Sequence, residues 1–293
     1  MITKRRYKIF ADFMRVYKFL TDTYDKETMN SFLLPHYYEY AHMFYGGFEL
    51  GKSHHFGIWE DEGNIVGIVC FEMNMGRCCH LHTHKNYKYL MPELLAWAEE
   101  ELFVIENGKR SLEIWIAEKE PDKRELLKSA GFSLKFNEPR KIFSYNKPFP
   151  ERELPEGFSL IIDTNVDYKK LQLCFWKGFD HGDKGEPDYD VDELVFAHNV
   201  ISEKFMTVAV APDGEYACAL GMWLDKTNKY AYLEPLATIP KYRRMGLAAV
   251  CLTEAMKKTK KQGAEYCFVG SGEFYTAIGC ENLMDWELWK KEW

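Results

Sequence analysis

The chain has 293 residues, enough for two domains of ordinary size, and an apolar content of 46%, which is that of a globular protein. Its 45 acidic and 38 basic residues give a net charge of -7, and the basic residues are scattered apart from Lys257-Lys258 and Lys260-Lys261, which argues against nucleic acid as the main partner. There is no run of about 18 apolar residues to cross a membrane, and Met1 to Arg6 lead into residues too polar for a signal-peptide core. The expectation is a cytoplasmic protein whose eight cysteines, none in a CxxC pair, are reduced and buried.

In chain order, residues 11–25 and 35–46 carry helical patterns. Residues 55–60 and 65–73 are extended runs joined by Glu62-Gly63-Asn64, which predicts a hairpin. A strand is expected at 78–83 and a helix at 87–103, with Met91, Leu94, Leu95, Ala98 and Leu102 on one face. A strand at 111–117 and a helix at 122–130, capped by Gly131, follow. Three prolines and one glycine between Asn146 and Gly157 have the chemistry of a linker. The expected boundaries are therefore 1–147, a linker at 148–157, and 158–293.

Beyond the linker come a short strand at 158–162, a helix at 167–178, an acidic loop at 180–190, and a helix at 191–202 with Asp192 and Glu193 in its first turn. Residues 206–211 and 217–224 pair as a hairpin around Asp213-Gly214. A strand at 230–238, a helix at 245–261, a strand at 266–269, a short helix at 274–278 and a Trp-rich last strand complete the half. Each half reads as a twisted mixed sheet with helices on both faces, giving an α/β (α+β) chain. The shared order of elements points to two copies of one fold.

The most informative stretch is Glu234-Pro235-Leu236-Ala237-Thr238 followed by Arg243-Arg244-Met245-Gly246-Leu247-Ala248. A strand ends, and a helix opens on small residues. The first turn of a helix has N–H groups without helical partners and the positive end of the dipole, which suits a pyrophosphate. Gly246 and Ala248 permit close approach, and Arg243 and Arg244 add charge. Pro235 cannot donate to a sheet ladder, so the strand should bulge there and leave backbone groups free for a ligand.

This segment resembles the acetyl-coenzyme A signature of the GNAT superfamily of N-acetyltransferases, Arg/Gln-x-x-Gly-x-Gly/Ala, matched by Arg243, Gly246 and Ala248. Phe274-Tyr275-Thr276-Ala277-Ile278-Gly279-Cys280 resembles that family's later Phe-Tyr-x-x-x-Gly-Phe segment. In the first half, Leu126 to Phe132 resembles the same late segment, but His84 to Leu90 lacks the glycine-rich turn. The resemblance implies a tandem arrangement with a degenerate first copy and acetyl-CoA bound by the second.

What the resemblance implies for single residues is specific. Tyr275 would protonate the leaving thiolate. Glu234 would act as base toward the amine or bind a cationic substrate, both readings being open. Leu236, Ala237 and Thr238 would pair with the pantetheine arm, and Arg243 to Ala248, Met245 and Leu247 included, would hold the phosphates. Gly270-Ser271-Gly272 replaces the family's usual asparagine, and Ser271 could donate in its place. Cys280 stands where phenylalanine is usual and reads as packing.

His80, His82 and His84 share a strand face, but their spacing of roughly 7 Å is wide for one ion. They read as the polar lining of the first half's cleft, and no metal is expected. The loop carboxylates Asp180, Asp183, Glu186, Asp188 and Asp190 read as a solvated loop or a cation-attracting rim. The aromatic run at 32–48, with Tyr37, Tyr38, Tyr40, Phe44 and Tyr45, reads as helix packing or a pocket lining. The sum is an acyl-CoA-dependent N-acyltransferase acting on a small-molecule amine, with no nucleic-acid or membrane partner. The oligomeric state is open, a homodimer included. The alternative is a non-catalytic coenzyme A-binding regulatory or scaffold protein.

Overall fold

A computed structural model describes residues 1–43, 49–162, 166–181, 185–187 and 203–293. In chain order it contains β1 (Ile2–Arg6), α1 (Ile9–Asp22), α2 (Pro35–Met43), β2 (Gly57–Asp61), β3 (Asn64–Phe71), β4 (Cys79–Thr83), α3 (Met91–Glu101), β5 (Val104–Glu106), β6 (Lys109–Ala117), α4 (Pro121–Ser129) and β7 (Ser133–Ser144). There follow β8 (Ser159–Ile162), α5 (Tyr168–Gly178), β9 (Glu203–Val210), β10 (Tyr216–Asp225), β11 (Tyr230–Thr238), α6 (Leu247–Lys261), β12 (Tyr266–Val269), α7 (Glu273–Ala277) and β13 (Glu281–Glu292). The chain divides into two compact units. The first is Met1–Pro139 with Leu283–Trp293, and the second is Arg140–Asn282.

In the first unit the strands run β1-β2-β3-β4-β6-β13, with β5 also on β6. Glu62 and Gly63 both have positive φ (49° and 80°), the geometry of the tight hairpin turn between β2 and β3. β13 pairs antiparallel with β6 from Trp286↔Ala117 to Glu292↔Ser111. Trp289 is buried in this unit's core, and Arg124 grips Glu287 with two hydrogen bonds of 2.7 and 3.1 Å. The contact division thus falls at Arg140 and Leu283 rather than along the proline-rich stretch 148–157.

In the second unit, Lys141 to Ser144 of β7 pair antiparallel with β12. β12 lies parallel to β11, and β11, β10, β9 and β8 continue as antiparallel neighbours. α6 presses Leu247, Cys251, Leu252, Ala255 and Met256 onto a face made by Met222, Leu224, Ala231, Leu233 and Cys267. α5 places Leu171, Cys174 and Phe175 against Val208, Ala219, Ala237 and Ile239. The sheet is therefore covered by helices on both faces, as the sequence implied.

Several boundaries shift for local reasons. The helix expected at 87–103 is a 3-10 turn, Lys85–Leu90, followed by α3, because Pro92 fits only a first helical turn. The helix expected from Met245 begins at Leu247, since Gly246 is left-handed. β1 was not anticipated. The helix expected at 191–202 with Asp192 and Glu193, the carboxylates Asp183, Asp188 and Asp190, and the aromatics Phe44, Tyr45 and Phe48 lie outside the described residues.

Candidate functional site

The parallel pairing of β11 with β12 starts at Tyr230↔Tyr266 and ends at Tyr232↔Phe268. β11 continues to Thr238 on β10 alone, so residues 233–238 have one sheet edge without a strand partner among the described residues. Pro235 is the local reason. It lacks an N–H, its peptide bond with Glu234 is cis, and opposite it β10 shifts register between Leu220 and Met222. Gly221 lies in that shift, where a Cβ would stand 2.6 Å from Glu234 O. A bare Cα is what lets the two strands pass each other there.

At the end of β11 the chain makes a short 3-10 turn, Pro240–Tyr242, and then enters α6 through two left-handed residues, Arg244 (φ 68°) and Gly246 (φ 85°). Gly246 O accepts the first helical bonds, from Ala249 N (3.0 Å) and Val250 N (3.2 Å). The N–H groups of Met245, Gly246, Leu247 and Ala248 have no hydrogen-bond acceptor among the described residues. No atom lies within 4 Å of the place a Gly246 Cβ would take. Successive open N–H groups at the positive end of a 15-residue helix make a cradle for an anion.

The two arginines of this turn have different surroundings. Arg243 donates to Thr238 O (3.1 Å), Gly178 O (2.8 Å) and Asp180 Oδ1 (2.8 Å), so it ties the turn to the end of α5. Arg244 is exposed, with no hydrogen-bond or ion-pair partner among the described residues. Gly178 allows the close approach of α5 to β11 behind these contacts, because a Cβ there would meet Ala237 Cβ at 2.7 Å. A second tie was invisible in the sequence. Glu215 accepts from Lys177 of α5 (2.7 Å) and from Lys241 Nζ (2.7 Å) and Tyr242 OH (3.1 Å) of the 3-10 turn. Burial opposes ionisation of Glu215, but these three donors win and hold its carboxyl down at about 2.

Tyr275 stands on α7, half-buried. Its ring lies over the glycines of Gly270-Ser271-Gly272, with Cβ positions 3.3 Å from the ring at Gly270 and 3.8 Å at Gly272. The departure from asparagine in this loop therefore makes room for the tyrosine. Burial, and after it the negative charge of Glu234, push the Tyr275 phenol well above its ordinary value. The phenol stays protonated, and Glu234 is within its electrostatic reach. Ser271 lies in the same loop, partly exposed. Cys280 is buried, and burial lifts its thiol to about 12, the state of a packing residue rather than a nucleophile.

In the first unit β4 meets β6 at Cys79↔Ile114 alone. A cavity of about 850 Å³ lies beside the ends of these strands, lined among others by His82, His84, Lys85, Lys88, Glu120 and Lys123. Here a lysine occupies the free edge: Lys123 Nζ donates to Leu81 O (2.9 Å) and Ser31 Oγ (2.9 Å) and pairs with Glu120 (2.8 Å). α3 opens on Pro92, which has no N–H to offer. The three histidines are engaged separately, His80 Nδ1 with Ser31 O (3.1 Å), His82 Nε2 with Thr23 Oγ1 (2.8 Å) and His84 Nδ1 with Asn86 N (3.3 Å). His82 and His84 line the cavity; His80 does not.

The second unit thus combines a strand pair that parts midway, a helix N-terminus with open amides, and a protonated phenol within electrostatic reach of a carboxylate. That combination is the one an acyltransferase fold provides. Residues 169–279 match the acetyltransferase (GNAT) family model. The matched segment lies inside the second unit.

Over its full length the fold is similar to solved GNAT structures. One is a GCN5-related N-acetyltransferase from Sphaerobacter thermophilus, with a TM-score of 0.63 and 14% identity over 99% of this chain and 95% of that one. Another is a tandem GNAT protein from the clavulanic acid biosynthesis pathway, with a TM-score of 0.69 and 11% identity over 100% and 98%. At these identities the likeness is one of fold. No curated protein matches the chain in sequence.

Proposed function

We propose that the second unit transfers an acetyl or other acyl group from acetyl-CoA to a primary amine by direct attack on the thioester. The observation that carries this reading is the meeting, in one unit, of the open amides of Met245 to Ala248 with the Glu234–Tyr275 pair beside the unpaired edge of β11. The amides and Arg244 would hold the pyrophosphate, with Arg243 keeping the turn in place. The edge formed by Leu236, Ala237 and Thr238 would pair with the pantetheine arm, and one amide there would polarise the carbonyl. Ser271 would add a hydrogen bond from the loop over α7.

The amine must be neutral to attack, so Glu234 either takes its proton or holds it as a cation until the proton leaves. As the tetrahedral adduct collapses, the C–S bond breaks and the thiolate needs a proton. A phenol kept protonated by its surroundings supplies it, and Tyr275 is that phenol. In the first unit Lys123 occupies the corresponding strand edge and Pro92 has no N–H to offer an anion, which supports one coenzyme site per chain. We assign the acceptor to the small-molecule amines, and the protein to the cytoplasm.

The test is a thermal-shift titration with acetyl-CoA followed by an amine panel read by released thiol. Stabilisation that grows with ligand concentration is expected, because selective binding to the native state raises its stability. No shift at a large excess of acetyl-CoA sinks the proposal. Stabilisation without thiol release on any amine points instead to a coenzyme A-binding regulatory protein.

A further inference from the structure

Lys204 of β9 and Glu234 of β11 belong to strands that are not neighbours, because β10 runs between them. At about 4.8 Å per strand spacing their backbones are roughly 10 Å apart, and an ordinary residue of β10 would stand in the way. The residue in the way is Gly221. A Cβ at Gly221 would lie 2.9 Å from Lys204 Cε and 2.6 Å from Glu234 O. The lysine stem therefore crosses β10 over a bare Cα, toward the bulge that presents Glu234. Its direct cross-strand partner is Trp223, and its ammonium lies 4.5 Å from the centroid of the Trp223 ring, which steadies a cation.

The ammonium nitrogen itself is buried, although part of the residue is exposed. A buried ammonium beside a half-buried carboxylate is a costly arrangement unless the two charges offset each other. We propose that Lys204 is a positioning residue of the transferase site, reaching through the gap at Gly221 to hold the Glu234 carboxylate in place at the bulge of β11. The proposal rests on the acyltransferase reading of the second unit and adds to it a residue outside the family motif. Lys204 acts through Glu234 on the acceptor side of the reaction.

With Lys204 in place the Lys204–Glu234 pair has no net charge, so it gives a permanently charged acceptor little advantage. It favours amines that can lose a proton. The lysine also bears the mark of its surroundings. Burial lowers its proton affinity to about 8, with the charge of Glu234 acting in the opposite direction.

The test compares Lys204→Met and Lys204→Arg with the wild-type chain, using an amine found active in the panel. Lys204→Met should lower kcat/KM for the amine at least about tenfold, leave KM for acetyl-CoA within about twofold, and move the acidic limb of the pH profile to higher pH. Lys204→Arg, which keeps the charge, should recover most of the loss and restore the limb. A Lys204→Met chain with unaltered amine kcat/KM and an unmoved acidic limb overturns the proposal.

A second arm needs neither turnover nor a folded Lys204 variant. Wild type should gain thermal stability as pH rises above about 8, where the folded chain has released the Lys204 proton and the unfolded chain still binds it. In Glu234→Gln the gain should begin at lower pH, because the carboxylate that helps the lysine keep its proton is gone. The same onset in both chains overturns the coupling. This arm decides the Lys204–Glu234 question even if acetyl-CoA fails to bind, so the two readings fail separately.

Discussion

Arg243 donates to Asp180 Oδ1 at 2.8 Å, and the same guanidinium reaches Gly178 O and Thr238 O. Arg243 therefore braces the end of α5 against the end of β11, and on the proposed function the exposed Arg244 is the one that would meet a phosphate. In Arg243→Ala the turn loses this brace. Acetyl-CoA affinity should fall roughly tenfold, about 1.4 kcal/mol, as measured by calorimetric titration. Asp180→Asn should change it less than about twofold, since an exposed ion pair is worth little beside the two backbone contacts. Equal losses in the two variants would mean that the ion pair, not the backbone brace, holds the turn.

Gly246→Ala separates backbone strain from packing. A Cβ there meets open space, so the penalty in stability comes from the left-handed φ of 85° and should be about 1–2 kcal/mol. The methyl would project where an anion approaches the amides, so acetyl-CoA affinity should fall by more than the stability change alone accounts for. Binding that matches wild type once folding is corrected for would place the phosphates elsewhere.

Tyr275→Phe keeps the ring over Gly270 and removes the proton donor. We expect kcat to fall by roughly 10–100-fold with acetyl-CoA affinity nearly unchanged. Unchanged kcat removes the proposed role. Loss of affinity in proportion to kcat would instead make Tyr275 a binding residue.

Glu215 offers a pH test. Its folded value of about 2 lies below the ordinary carboxylate value of 4.5. Its contribution to stability is thus fully present above about pH 4.5 and is lost as the pH falls through that interval toward 2. In Glu215→Gln this part of the acid sensitivity should be missing, seen as a shallower fall of melting temperature between pH 4.5 and 2. Parallel curves for the two chains would remove Glu215 from the acid response.

Gly221→Ala should be the most disruptive of these single changes for its size. The added Cβ would press on Glu234 O and on the Lys204 stem at once. A loss of about 1–3 kcal/mol is expected from chemical denaturation. A stability equal to wild type would show that β10 and β11 can part further than the register implies.

Much of the site was legible in the sequence because it depends on backbone rules that act locally. Pro235 announces a bulge wherever it falls in a strand, and Gly246 announces a left-handed entry to a helix. Tyr275 and Glu234 were singled out only through the family resemblance, and their roles remain part of the proposal. Lys204, Gly221 and Glu215 were not legible. Their meaning is relational, since Lys204 on β9 meets Gly221 on β10 only once register aligns the strands, and Glu215, just before β10, gathers donors from α5 and from the turn after β11. Arg243 shows the same limit from the other side, because the motif named the residue but not its partners Gly178 and Asp180.

The sequence by itself determined most of the order of elements, the hairpin at Glu62-Gly63, the open turn at Arg243 to Ala248 and the absence of such a turn at His84 to Leu90. These follow from periodicity, turn chemistry and the special torsions of glycine and proline, all set within a few residues. The tertiary structure decided where each strand found its edge. It joined the last strand, Glu281–Glu292, to β6 through Trp286↔Ala117 and its neighbours, and Lys141 to Ser144 to β12. It also let Lys123 reach Leu81 O in one unit while the edge beyond Tyr232 stayed open in the other. A strand's pattern shows that it needs a partner, but every unpaired edge offers the same N–H and C=O groups. The choice among edges is made by packing and register, which the fold alone supplies.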